Sequence, residues 1–249
     1  MTKKALTFTT AAAALFLMGA NHVVVPSKTL ETIAAHSWKV NQKKLEFIPN
    51  GVDLSHLKHP NKDHYQSLFS ESDAIRIGTL ARIRKEKNIV RLIYTFEQLV
   101  EHHNIELWIA GDGPQLEEIR TYAQTSIHRK RIHLTGNIES PADFICHLDI
   151  FALSSDTEQM PYSILEAAGA GLPIVSVDVG DVKSLVANEN RPFIQGKTSD
   201  ELVRNLSILL KDSILRKKLA IANQQFCQRF FDQTAMISRY QELIDNLIH

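Results

Sequence analysis

Short apolar runs alternate along the chain with segments in which apolar residues recur at helical spacing. From residue 75 onward the runs have the length of strands. We predict six of them, over 75–80, 105–110, 131–134, 150–153, 174–177 and 193–194. Strands that alternate with helices are typical of a parallel sheet covered on both faces.

The segments between these strands carry apolar residues three and four positions apart, the spacing of one helix face. The predicted faces are Ile89, Leu92, Ile93, Phe96, Leu99 and Val100, and then Leu116, Ile119 and Ala123. Further helices are predicted over 200–210 and 214–226, and a last helix carries the stripe Ile237, Tyr240, Leu243, Ile244 and Leu247. The pattern predicts an α/β fold, a Rossmann-like parallel sheet flanked by helices.

The amino-terminal region predicts a strand at 22–25 and a helix that starts at Ser27. Before it, Lys3 and Lys4 precede an apolar, alanine-rich run over 5–20. Two interpretations of residues 1–20 stay open. A basic start followed by an apolar run is typical of a secretory signal peptide, which would make this an exported protein. The alternative is an ordinary helix that leads into the strand.

Composition excludes several classes of protein. Lysine plus arginine and aspartate plus glutamate number 28 each, so no overall charge favours nucleic acid as a partner. The two cysteines, Cys146 and Cys227, cannot form a disulfide framework, which indicates a reducing compartment and hence the cytoplasm. The eleven histidines show no credible zinc spacing, so we expect no metal.

The segment 154–173 is the most informative part of the chain. Glu158 lies in a loop after the predicted strand 150–153, and Glu166 follows eight positions later on the next helix. Pro161 stands where a first helical turn tolerates a missing N–H group. The free N–H groups of such a helix start attract phosphate, and carboxylates accept hydrogen bonds from sugar hydroxyls. The segment therefore predicts a site for a nucleotide-sugar.

Seven residues separate Glu158 from Glu166, and Glu166 is followed by Ala-Ala-Gly-Ala-Gly-Leu-Pro. This arrangement resembles the signature of retaining glycosyltransferases of family 4, which have the GT-B fold. Three upstream blocks fall in the order and rough spacing of that family's carboxy-terminal domain. They are Ile-Pro-Asn-Gly-Val-Asp over 48–53, Gly-Thr-Leu-Ala-Arg over 78–82 with Lys87, and Ala-Gly-Asp-Gly-Pro over 110–114. The resemblance implies a GT-B carboxy-terminal domain and a sugar transferase.

The resemblance also assigns roles to charged residues. It implies that Arg82 and Lys87 hold the donor diphosphate, that Glu166 binds the ribose hydroxyls, and that Glu158 reaches the transferred sugar. Arg82, Lys87 and Glu158 are the predicted catalytic residues. A guanidinium and an ammonium can neutralise two phosphates and stabilise the charge that builds on the departing nucleotide. The resemblance implies a UDP- or GDP-sugar as the donor, with no metal or other cofactor.

Five uncharged residues complete the predicted donor site. Gly111 and Gly113 form a turn that resembles the family's turn beside the nucleotide, although a purely structural turn explains them equally well. Met160, Pro161 and Tyr162 are expected to face the donor, with main-chain N–H groups at Met160 and Tyr162.

Two features leave the site open to other interpretations. Gln159 stands where many family members have glycine, so the backbone there is less free to approach the sugar. The charge pattern alone favours a solvated basic loop made of Arg82, Arg84, Lys85 and Lys87. The order of the family's blocks favours instead a binding site at Arg82 and Lys87, with Arg84 and Lys85 on the surface.

The resemblance implies three regions: 1–47 as a remnant of an amino-terminal acceptor domain, 48–230 as the donor-binding domain, and 231–249 as a helix that packs on the acceptor domain. We expect transfer to a glycan or glycolipid acceptor in the cytoplasm or at the inner face of the cell membrane. The alternative is a truncated, inactive remnant, or a nucleotide-sugar-binding subunit that needs a separate acceptor-domain chain or self-association.

Overall fold

The computed structural model describes residues 19–69 and 72–248. Both interpretations of the amino terminus concern residues 1–20 and fall almost wholly outside the described residues. The described chain forms two units. One consists of the residues up to Gly51 together with those from Gln233 onward, and the other is Val52–Asp232.

Seven strands and nine helices are present in the described residues. The strands are β1 (Val23–Val25), β2 (Leu45–Phe47), β3 (Ile75–Leu80), β4 (Ile105–Ala110), β5 (Ile132–Gly136), β6 (Ile150–Leu153) and β7 (Ile174–Ser176). The helices are α1 (Lys28–His36), α2 (Leu54–Lys58), α3 (Ile89–Val100), α4 (Leu116–Thr125), α5 (Pro141–Ile145), α6 (Tyr162–Gly169), α7 (Ser199–Lys211), α8 (Ser213–Phe230) and α9 (Gln233–Ile248).

The larger unit is built on a five-stranded sheet in the order β5-β4-β3-β6-β7, with every neighbouring pair parallel. The strands at 75–80, 105–110 and 150–153 are confirmed without change of bounds. Strands β4 and β6 are buried at every position, which is typical of a sheet covered on both faces. The predicted α/β fold class is therefore confirmed.

The predicted strand at 193–194 is wrong. Arg191–Phe193 is a 3-10 turn, and Ile194 contributes only a single bridge to Ser176. Pro192 lacks an N–H group and has a fixed φ, both of which suit a turn better than a strand. The side chain of Asn190 accepts a hydrogen bond from the Ile174 N–H group at 3.0 Å and donates to the Ile174 carbonyl oxygen at 2.7 Å.

The predicted helix faces are confirmed. All six apolar residues predicted for α3 are buried, as are Ile119 and Ala123 of α4. Asn88 caps the start of helix α3: its φ of 45° is left-handed, and its side chain accepts a hydrogen bond from the Arg91 N–H group. Thr198 and Glu201 form a capping box at the start of α7.

The smaller unit contains a two-stranded parallel sheet. Ser27 caps α1 by accepting a hydrogen bond from the Leu30 N–H group, and α1 connects β1 to β2. In α9, Arg239 donates a hydrogen bond to the Phe47 carbonyl oxygen at 2.7 Å. Of the predicted α9 stripe, Ile237, Ile244 and Leu247 are exposed.

Within residues 19–69 and 72–248, the structure contains no helix with the combined length and hydropathy needed to span a bilayer.

The sharp turn after β4 requires a glycine at position 111. Gly111 has a φ of 131°, and its N–H group donates to the Gly136 carbonyl oxygen at 2.7 Å. A Cβ atom at this position would lie 1.8 Å from the Ala81 carbonyl oxygen, which is shorter than any allowed contact. The turn therefore brings the ends of β3, β4 and β5 close together.

We expect Gly111→Ala to destabilise the fold by about 3 kcal/mol, because the added methyl group combines backbone strain with a clash. Gly136→Ala is the matched control: its φ of 73° is also left-handed, but nothing lies within 4 Å of the added Cβ atom. That variant should lose only about 1 kcal/mol. Urea denaturation of both variants measures the difference, and equal losses would contradict the close approach.

Candidate functional site

A cavity of about 580 Å³ lies in the larger unit, where the carboxyl ends of the strands meet the start of α6. Residues from the loops after β3, β4 and β5 line one part of it, and residues from Pro161 to Glu166 line another. The order of the sheet reverses between β3 and β6. Open parallel sheets bind ligands in the crevice formed at such a reversal.

The cavity brings together seven of the nine predicted site residues. They are Arg82, Lys87, Gly111, Gly113, Pro161, Tyr162 and Glu166. Glu158 does not line the cavity but lies directly beside it, in contact with Lys87. Met160 is not part of the lining either, and its partly buried side chain packs against the core.

Lys87 and Glu158 form a short ion pair. The Lys87 Nζ atom lies 2.5 Å from Glu158 Oε1, and the Ser155 hydroxyl group donates to the same oxygen at 2.6 Å. The two charged side chains are 21% and 8% exposed. The pair holds the ammonium group at the cavity wall, where it can bind an anion while it remains fixed by the carboxylate.

Arg82 is exposed and, in the described part of the chain, has no hydrogen bond or ion pair. Its guanidinium group is therefore available to a ligand. Arg91 differs, because it donates to Asp156 Oδ1 at 2.6 Å and to the Ser154 carbonyl oxygen at 2.9 Å. Arg82 and Lys87 are the cations that line the cavity, whereas Arg91 fixes the loop that carries Glu158.

The loop after β6 is held from two sides. The Ser154 hydroxyl group donates to the Lys87 and Asn88 carbonyl oxygens at 3.1 and 3.0 Å. On the other side, the Asp181 N–H group donates to the Gln159 carbonyl oxygen at 2.8 Å, and a Cβ atom at Gly180 would lie 2.3 Å from the Glu158 carbonyl oxygen. The backbone around Glu158 is thus fixed before any ligand binds.

Glu166 is the acidic residue of the cavity with no partner of its own. It lines the cavity from α6, and its side chain makes no hydrogen bond or ion pair in the described part of the chain. Burial raises the pKa of its carboxyl group to about 7. An unpaired, largely buried carboxyl group that faces a cavity is available to accept hydrogen bonds from a ligand.

The start of α6 also faces the cavity. Pro161 precedes the first helical residue, Tyr162, and among residues 19–69 and 72–248 no side chain caps this end of the helix. The positive end of the helix dipole therefore adds to the field of Arg82 and Lys87. The cavity can bind a group that is anionic at one end and carries hydroxyl groups near Glu166.

A second cavity of about 270 Å³ adjoins the first. The two share Pro141, Tyr162 and Glu166, whereas Arg82 and Lys87 line only the first. In the space formed by the two cavities, Glu166 therefore lies at the end that is distant from Arg82 and Lys87.

The sequence interpretation missed a whole wall of the cavity. Asn137, Ile138 and Pro141 line it from the loop between β5 and α5. The signal available in the sequence was their position directly after a predicted strand, since the loops after parallel strands meet at one edge of a sheet. In the described residues no three His, Cys, Asp or Glu side chains are grouped in a way that could hold a metal ion.

Two curated relatives are similar over most of this chain. O-antigen biosynthesis glycosyltransferase WclY from Escherichia coli is 24% identical over 230 residues, which are 90% of this chain and 61% of WclY. The GPI3 subunit of phosphatidylinositol N-acetylglucosaminyltransferase from Saccharomyces cerevisiae is 24% identical over 250 residues, which are 98% of this chain and 53% of the subunit. The chain thus spans little more than half the length of these relatives.

The fold resembles that of solved glycosyltransferases. HepE from Anabaena, solved in complex with UDP-glucose, superimposes with a TM-score of 0.85 at 19% identity, over 96% of this chain and 68% of HepE. The family described as Glycosyl transferases group 1 has a sequence model that matches residues 61–226. Because that match covers more than half of the 249 residues, this chain belongs to the group 1 glycosyltransferases.

Proposed function

We propose that this chain binds the donor in a retaining, family 4 type transfer of a sugar from a UDP- or GDP-sugar to a glycan or glycolipid acceptor. The observation that carries the proposal is the shared cavity of Arg82, Lys87 and Glu166, with an anion-binding end and a hydroxyl-binding end. HepE has been solved with UDP and with UDP-glucose, which supports a nucleotide-sugar as the ligand. We place the reaction in the cytoplasm or at the inner face of the membrane.

In this proposal the diphosphate lies between Arg82 and Lys87. As the bond between the sugar and the diphosphate breaks, negative charge grows on the leaving nucleotide, and the two cations stabilise it without a metal ion. Glu158, held by Lys87 and Ser155, lies where the transferred sugar adjoins the diphosphate. Because Lys87 is shared between Glu158 and the diphosphate, it couples the position of the sugar to that of the leaving group.

Glu166 binds the ribose in this proposal. An ionised carboxylate accepts hydrogen bonds at both oxygens from two neighbouring hydroxyl groups, whereas in the protonated acid one oxygen carries a proton and part of this acceptor capacity is lost. The unpaired Glu166 carboxyl group lies in α6, behind the helix start that faces the phosphates. This order fits a nucleotide whose phosphates lie at the cations and whose nucleoside lies at Glu166.

Removing either cation should weaken nucleotide binding. We expect Arg82→Ala and Lys87→Ala each to lower the affinity for UDP or GDP by about 10-fold or more, because each loses a charge-assisted contact with phosphate. Arg84→Ala is the matched control, since Arg84 is exposed, does not line the cavity and lies 3.9 Å from Glu86.

Isothermal titration calorimetry of the folded chain with UDP and with GDP gives these affinities. If neither nucleotide produces heat with the wild-type protein, the donor site is wrong. If Arg84→Ala weakens binding as much as Arg82→Ala does, the effect comes from general charge and not from the cavity.

The affinity for the nucleotide should also depend on the protonation of Glu166. Its pKa of about 7 means that the carboxyl group is mostly neutral at pH 6 and mostly ionised at pH 8. Since the ribose favours the ionised form, affinity should fall by about 3- to 10-fold as the pH drops from 8 to 6. Glu166→Gln cannot titrate and should keep only the dependence that the phosphate group itself causes. Identical pH profiles for the two proteins would remove Glu166 from the site.

A second candidate function is a donor-binding subunit that works with a separate acceptor-binding polypeptide. The exposed Ile237, Ile244 and Leu247 of α9 favour it, since an apolar stripe of this kind is typical of an interaction surface. Light scattering combined with a donor-turnover assay tests this candidate. We expect binding of UDP or GDP without transfer by the isolated chain, and transfer by a monomeric, monodisperse sample would contradict it.

A further inference from the structure

Residues 137–141, which form one wall of the cavity, lead into helix α5, and the N-cap residue of that helix does not cap it with its side chain. Ser140 is the residue before α5, yet its side chain makes no capping hydrogen bond to that helix. The Ser140 hydroxyl group lies instead 3.2 Å from His56 Nε2. The N–H groups of Glu139 and Ser140, just before α5, find their acceptor elsewhere in the chain.

Tyr65 supplies that acceptor. Its phenol oxygen accepts hydrogen bonds from the Glu139 N–H group at 2.9 Å and from the Ser140 N–H group at 3.2 Å. The two N–H groups lie inside the wall, between Ile138 and Pro141, which both line the cavity. One oxygen atom from more than 70 residues earlier in the chain thus ties down the segment that faces the ligand.

The ring of Tyr65 is itself fixed. It stacks on the His64 ring at a centroid distance of 4.1 Å and meets the Phe144 ring edge-on at 6.3 Å. His64 Nδ1 lies 2.9 Å from Asp143 Oδ2, and the Asn61 N–H group donates to Asp143 Oδ1 at 2.7 Å. We name residues 61–65 the strap.

The strap is anchored on a carboxylate that stays charged. Burial acts to raise the pKa of Asp143, but hydrogen bonds from His64, Ser140, the Asn61 backbone and His56 outweigh it and lower the pKa to about 2. The Asp143 side chain is only 6% exposed. At any ordinary pH the anchor is therefore an anion that accepts hydrogen bonds from the strap.

We propose that Tyr65 is a positioning residue for the nucleotide-sugar donor: it holds the wall 137–141 in the conformation that receives the nucleoside end of the ligand. The proposal rests on the function proposed above. Residues 139–141 of the wall, which Tyr65 holds, belong to the end of the cavity near Glu166, because they and Glu166 also line the adjoining cavity and the cations do not. Loosening the wall should therefore weaken contacts to the nucleoside and spare those to the diphosphate.

Tyr65→Phe tests the proposal, since it removes only the phenol oxygen and keeps the ring that stacks on His64. We expect a 3- to 10-fold loss of affinity for UDP or GDP with no change of affinity for pyrophosphate, on the order expected for one lost positioning contact. Amide hydrogen exchange should become faster at Glu139 and Ser140. Tyr94→Phe is the matched control, because Tyr94 is 43% exposed on α3, and it should change none of these readouts.

A second variant, His64→Ala, keeps the phenol group but removes the ring on which it stacks. It should also lower the affinity for UDP or GDP and speed amide hydrogen exchange at Glu139 and Ser140, but to a smaller extent than Tyr65→Phe.

Unchanged amide hydrogen exchange at residues 139 and 140 in Tyr65→Phe would overturn the inference, and so would an unchanged affinity for the nucleotide. An equal loss of affinity for pyrophosphate would also overturn it, because that loss would indicate a general structural defect. If the wild-type protein binds neither UDP nor GDP, the proposed function fails and the positioning role fails with it. Nucleotide binding that Tyr65→Phe leaves intact removes the inference alone.

Discussion

All five strands of the main sheet are parallel, and their order reverses between β3 and β6. This constraint determines the rest of the site. Parallel strands place all their carboxyl ends on one edge, and the reversal leaves a crevice at that edge. Arg82 and Lys87 follow β3, and Glu158 and Glu166 follow β6, so residues from both sides of the reversal meet at one crevice, with Lys87 and Glu158 in direct contact.

Charges within the site differ in how firmly they are held. Lys87 and Glu158 neutralise each other at 2.5 Å, and Arg91 and Asp156 fix the same loop from outside the cavity. Arg82 is left without a partner in the described residues, so a ligand gains its guanidinium group without breaking an existing ion pair. A site with one fixed and one available cation can bind a diphosphate without a large rearrangement.

Elements that depend on interactions between neighbouring residues were predicted correctly from the sequence, whereas features that depend on contacts between distant residues were not. Strand 75–80 was predicted because a continuous apolar run depends only on neighbouring residues. Strand 193–194 was wrong because pairing with β7 depends on the tertiary fold: residues 191–193 form a 3-10 turn, and Ile194 makes only a single bridge to Ser176. The hydrogen bonds of Tyr65 to the cavity wall could not be predicted from the sequence, since its partners lie more than 70 residues away along the chain.

The sequence by itself determined the α/β class and the order of the main alternating strands and helices and, through resemblance to a family, the charged residues of the proposed site. Periodicity and motif spacing act over a few residues, and a single chain displays them directly. Only the tertiary structure decided that Lys87 pairs with Glu158, that Glu166 stays unpaired, and that Tyr65 holds the cavity wall. The reason is physical: burial and hydrogen bonding depend on which distant segments meet, and folding alone brings those segments together.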